Sequence, residues 1–87
     1  MSEFGWELAW FQLQMAGKLQ DNRHKSSWYD CSIPWLRNRL RQELKELDNA
    51  IAKKKTATDI ISECADIANF AMMIAAKFDV LRQEQED

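Results

Sequence analysis

Cys64–Ala76 reads CADIANFAMMIAA, a stretch in which only Asp66 and Asn69 are polar. It lies inside a longer segment, 57–82, where Ile60, Cys64, Ile67, Ala71, Ile74 and Phe78 recur at alternating steps of four and three. That spacing predicts a helix with a heptad-like seam. The other faces of Cys64–Ala76 are nearly as apolar, so the segment is expected to be enclosed on most sides.

Working back from this helix, Thr56 and Asp59 stand three apart in the form of a capping box, with Asp in place of the usual Glu or Gln. Lys53, Lys54 and Lys55 precede them and suit a helix C-terminus. Before the lysines, Leu36, Leu40, Leu44, Leu47 and Ile51 form an apolar stripe that predicts a second helix over about 33–53. Ser32 is its expected cap, and Pro34 falls in its first turn, where a missing N–H costs nothing. A first helix over about 4–20 follows from Phe4, Leu8, Phe11, Met15 and Leu19. Between it and the second lies DNRHKSSWYDCS (21–32), polar and turn-forming. The tail QEQED (83–87) is expected to be a frayed, solvated end.

The fold expected for 1–87 is one all-α domain, an antiparallel bundle of three main helices. A chain of 87 residues buries only about 60–65% of the surface exposed when unfolded. Two helices cannot surround the third, so oligomerisation is expected to complete a four-helix-type bundle, as a homodimer or a homotetramer. The net charge of −2 argues against a nucleic acid polymer as a partner. Cys31 and Cys64 are far apart and His24 is the one histidine, which disfavours a disulfide scaffold or a structural zinc site. The start MSEFGWELAW is acidic where a signal peptide needs basic residues, and no run reaches the ~18 apolar residues of a membrane span. A cytoplasmic protein with free thiols and no membrane partner is expected.

The chemistry lies in carboxylates. Glu43 and Glu46 are three apart, as are Glu63 and Asp66, so each pair projects from one side of its helix. A short turn at the lysines makes the two helices antiparallel neighbours and brings the pairs to comparable heights. On a helical wheel Glu43 and Glu46 flank the leucine stripe, and Arg39 shares their side. Converging carboxylates beside an apolar wall repel one another and lose hydration, a cost that a divalent cation offsets. All-oxygen ligands suit Mg²⁺, with Mn²⁺ as a substitute. A carboxylate-bridged redox bundle would bring a Glu-x-x-His ligand, which is missing here. Glu43 and Glu46 alone also read as solvated charges in RQELKELDNA, whereas Asp66 within CADIANFAMMIAA needs a partner or a metal.

RQELKEL (41–47) followed by SECADIANFAMMIA (62–75) resembles the paired ExxE and ExxD motifs of the MazG-like all-α nucleoside triphosphate pyrophosphohydrolases. KLQDNRHKSSWYDCSIPWLRNRL (18–40) is similar to the same region of short MazG-like proteins from phage and mobile elements. The resemblance implies hydrolysis of a nucleoside triphosphate to a monophosphate and pyrophosphate, in nucleotide-pool house-cleaning. It implies metal-ligand roles for Glu43, Glu46, Glu63 and Asp66, and a substrate or metal-water role for Asn69. It also implies dimers or tetramers whose helices complete one another's bundles.

In that mechanism Glu43 or Glu46 accepts the proton of the attacking water. Lys18, Arg23, His24, Lys25, Trp28 and Tyr29 cluster around the first loop, joining cations for phosphates to rings for stacking on a base. Trp28 equally suits packing over the bundle end, and Arg39 either touches phosphate or pairs with Glu43. Trp6, Trp10 and Trp35 read as core or subunit contacts, and Lys53–Lys55 as a solvated helix end. The competing class is a non-catalytic helical interaction or regulatory module, in which the acids form ion pairs with lysines and arginines.

Overall fold

A computed structural model describes residues 3–21 and 28–86 of the chain. They form α1 (Gly5–Asp21), a 3-10 turn (Trp28–Asp30), α2 (Ile33–Ala52) and α3 (Ala57–Glu86), with no strand among the described residues. The all-helical class read from the sequence is the class observed.

The helix ends follow from local chemistry. Ser32 caps α2, its Oγ accepting from the Trp35 N–H at 3.2 Å, with Pro34 in the first turn. Thr56 caps α3 in the same way, accepting from the Asp59 N–H at 3.1 Å. Between them the chain reverses through a Schellman turn. The N–H of Lys54 bonds the carbonyl of Ile51 at 3.1 Å and that of Lys55 bonds Ala50 at 2.9 Å. Lys54 takes the left-handed conformation, φ 54°, usually left to glycine. At its other end α3 runs on through Glu86, so the tail expected to fray is helical there. Gln and Glu are good helix formers, and Arg82 and Gln83 both donate to the carboxylate of Asp79.

Helix α3 packs on both α1 and α2, which do not contact each other among the described residues. The α2–α3 pair is antiparallel: Glu43 meets Glu63 and Asp66, while Arg39, one turn earlier, meets Phe70, one turn later. On α1, Met15 and Lys18 meet Asn69 and Asp66. The most enclosed line of α3 is therefore Ala65, Asn69 and Met73, between its two neighbours. The expected seam is less covered than the spacing implied: Ile60, Cys64, Ile67 and Ile74 are half-buried, and Ala71 and Phe78 are exposed.

On α2 the inward line runs Leu36, Leu40, Glu43, Leu47, Ala50, at steps of four and three. Leu44 and Ile51, expected in the stripe, are 46% and 54% exposed. Trp6 and Leu13 are largely exposed on α1, while Trp10 and Leu13 border a groove shared with α3, and the rings of Trp6 and Trp10 stack at 6.2 Å.

The result is an open arrangement. Its radius of gyration is 14.8 Å, against about 12 Å for a compact chain of this length. Its accessible surface is 6840 Å², against about 5300 Å² for a compact monomer of this mass. No helix among the described residues is long and apolar enough to cross a membrane.

Candidate metal centre

The Schellman turn sets the register of the site. It holds α2 and α3 close enough that the inward position of α2 opposite Glu63 and Asp66 is occupied by Glu43. One carboxylate oxygen from each of these three residues lies within 4.8 Å of the other two.

Glu43 is the most enclosed of them, 4% exposed. Its Oε1 accepts from Arg39 Nη2 at 2.9 Å, while its Oε2 is buried with no hydrogen-bond partner among the described residues. Burial drives its pKa up from 4.5 to about 7; the neighbouring Glu46 and Asp66 carboxylates add to the rise, and Arg39 opposes it. Burial also raises the carboxyl of Glu63, reinforced by Glu46, and Glu63 Oε2 is likewise buried without a described donor. Asp66 stands at the half-buried edge, 3.4 Å from Lys18 Nζ. The donor set fits a hard divalent cation: three carboxylates, two with buried oxygens that no described donor satisfies.

Glu46 is different. It is exposed and stands outside the three-residue cluster, close enough to Glu43 and Glu63 to influence both carboxyls. It borders a groove of about 400 Å³ that runs from Glu46 and Glu63 towards Lys53 and Lys55 at the turn.

The residues read as substrate contacts are dispersed. Arg39 is held by Glu43 and Gln42, with its guanidinium 5.4 Å from the centre of the Phe70 ring. Lys18 adjoins the cluster through Asp66. Asn69, 4% exposed, donates from Nδ2 to the Met15 carbonyl at 3.0 Å and so ties α3 to α1; its Oδ1 is buried without a described partner. Trp28 belongs to the 3-10 turn, which packs on α3, and Lys77 donates to the Cys31 carbonyl just beyond that turn. Lys77 is eleven residues past Asp66, about 16 Å along the helix axis, so this end of the structure is remote from the carboxylates. Arg23, His24 and Lys25 lie outside the described residues. Both cysteines are free thiols, half-buried.

Two features of the site escape the leucine pattern. The burial of Glu43 is masked by the more apolar Leu44, its neighbour in the chain. The approach of Lys53 and Lys55 to the acids depends on the turn geometry; their place before a capping box was the available signal. No family model, curated protein or solved structure matches the chain.

Proposed function

We propose that this chain is a Mg²⁺-dependent nucleoside triphosphate pyrophosphohydrolase, cutting between the α and β phosphates to give a monophosphate and pyrophosphate. The observation that carries the reading is Glu43, a carboxylate turned into the contact between two helices, facing Glu63 and Asp66, with one oxygen that no described donor satisfies. A buried carboxylate without a full set of donors costs several kcal/mol, on the order of 3 for a group of this kind, unless a cation joins it. The motif resemblance at 41–47 and 62–75 supplies the reaction class.

Glu43, Glu63 and Asp66 would hold the cation. When bound, it supplies charge neutralisation to the phosphate oxygens and acidifies a water molecule. Arg39 holds the carboxylate of Glu43 through Oε1, and Oε2 has no described donor. Lys18 balances Asp66 on the α1 side. Glu46, exposed beside the cluster, would accept a proton from the water that attacks the α-phosphorus. The accessible area exceeding that of a compact monomer, about 1500 Å², supports a homo-oligomer that covers the outer faces of α1 and α3.

The non-catalytic module keeps one observation in its favour: Glu43 and Asp66 already have cationic partners in Arg39 and Lys18. Incubation with a panel of ribo- and deoxynucleoside triphosphates and Mg²⁺ or Mn²⁺, with product analysis, separates the readings. Monophosphate plus pyrophosphate from any member supports the hydrolase, whereas no turnover of any of them, with melting unaffected by millimolar metal, sinks it.

A further inference from the structure

Among the described residues, the cations that reach the carboxylate cluster are paired with it: Arg39 with Glu43 and Lys18 with Asp66. A substrate carrying a phosphate chain needs other positive charge. The groove beside the cluster supplies it. Its volume, about 400 Å³, lies within the ~300–1,000 Å³ of small-molecule sites. Glu46, Ser62 and Glu63 line the end next to the metal candidates, while Lys53 and Lys55 line it near the turn. From Glu46 to Lys53 is two helical turns, about 10 Å, enough for a di- or triphosphate lying along the helix pair.

The backbone at this end is fixed in place. Lys53 N–H bonds Asn49 O at 2.9 Å and Lys55 N–H bonds Ala50 O at 2.9 Å, with Lys54 as the left-handed apex between them. Lys53 and Lys55 border the groove and Lys54 does not. Both bordering lysines are exposed, and neither forms an ion pair with a described residue. Two lysines face three carboxylates in the lining, Glu46, Asp59 and Glu63, which leaves one negative charge in excess. A divalent cation beside Glu63 turns that into one positive charge in excess.

We propose that this groove binds the terminal phosphates of the substrate, with Lys53 and Lys55 as their cationic contacts and the nucleoside directed towards the Asp66–Phe70 end of the cluster. The placement rests on the triphosphate reading and adds a polarity to it. It also makes polyphosphate and metal binding mutually dependent, because the groove attracts anions only in its metal-loaded charge state and the coupling is reciprocal.

The test uses the full chain with inorganic tripolyphosphate as probe, titrated calorimetrically with and without Mn²⁺, alongside triphosphate kinetics. The wild type is expected to bind tripolyphosphate only in the presence of Mn²⁺. The double variant Lys53→Ala with Lys55→Ala should weaken that binding and raise KM by about tenfold or more. The double variant Lys53→Arg with Lys55→Arg should retain both to within about threefold, and Mn²⁺ affinity measured alone should stay within about twofold. Lys54→Asn removes the same kind of charge at the apex and should leave tripolyphosphate binding within about twofold. Equal weakening by Lys54→Asn, or unchanged binding and KM in the alanine double variant, overturns the placement while wild-type hydrolysis leaves the enzymatic reading standing. A wild type that hydrolyses no triphosphate and binds no Mn²⁺ overturns that reading, and the placement with it.

Discussion

Replacing Glu43 by Gln should stabilise the metal-free protein at alkaline pH, although it alters one of the most buried side chains. The folded carboxyl titrates at about 7 and the ordinary one at 4.5, a difference equivalent to about 3 kcal/mol at ~1.36 kcal/mol per pH unit. Below 4.5 the carboxyl is protonated in both states and contributes nothing. Between 4.5 and 7 the unfolded chain releases the proton while the folded chain keeps it, so stability falls as pH rises. Above 7 the full cost of burying the charge is present. Gln never ionises, so the variant's advantage should grow from under about 1 kcal/mol at pH 5 to about 3 kcal/mol at pH 8.

Urea unfolding followed by circular dichroism, in chelator and at one protein concentration, measures both proteins across this range. For a domain whose stability is about 5–15 kcal/mol, a 3 kcal/mol gap is readily resolved. Adding Mg²⁺ at pH 8 should close the gap by stabilising only the wild type. A difference independent of pH, or a variant less stable than wild type at pH 8, refutes the electrostatic account of Glu43.

Asp66→Asn should abolish Mg²⁺-dependent triphosphate hydrolysis, by about a hundredfold or more, while changing the melting free energy by under about 1 kcal/mol, because the Lys18 pair it breaks is partly exposed. Lys54→Gly should raise stability by about 0.5–1 kcal/mol by relieving the left-handed conformation at φ 54°, read as a higher urea midpoint; a lower midpoint argues against the Schellman turn. Leu36→Ala should cost about 2–5 kcal/mol, since Leu36 is the one large side chain fully enclosed among the described residues.

Helix positions were legible because their ends are written locally. Ser32, Pro34 and Thr56 announce helix starts through side-chain chemistry that needs no tertiary partner, and each does so here. The turn at Lys53–Lys55 was legible as a reversal, but its left-handed residue was not, because Lys54 occupies a place that glycine would mark. The register of α2 was harder. Leu36, Leu40 and Leu47 belong both to the stripe ending at Leu44 and Ile51 and to the one containing Glu43 and Ala50. Apolarity favours the first, whereas α3 selects the second by supplying Glu63, Asp66 and Phe70 as the surface that α2 covers. Asp66 misleads in the opposite direction. Within its own helix it is stranded, yet Lys18 reaches it from α1, a relation no local spacing carries.

The pairing of Glu43 with Arg39 and of Asp66 with Lys18 decides which carboxylate discriminates between the hydrolase and the interaction module. Glu43 and Asp66 each have a cation to pair with, so their substitution breaks an ion pair under either reading. Glu63 has none among the described residues, and burial raises its carboxyl. In a module held by ion pairs, Glu63→Gln removes a charge that burial and the Glu46 and Asp66 carboxylates already disfavour: the variant should be at least as stable as wild type, and neither should respond to metal. In the metal centre the same substitution removes a ligand, so the melting increment that millimolar Mg²⁺ or Mn²⁺ gives the wild type should vanish in the variant, while the metal-free stabilities stay close. Metal stabilisation that persists undiminished in Glu63→Gln places the cation elsewhere and removes the basis for the three-carboxylate site.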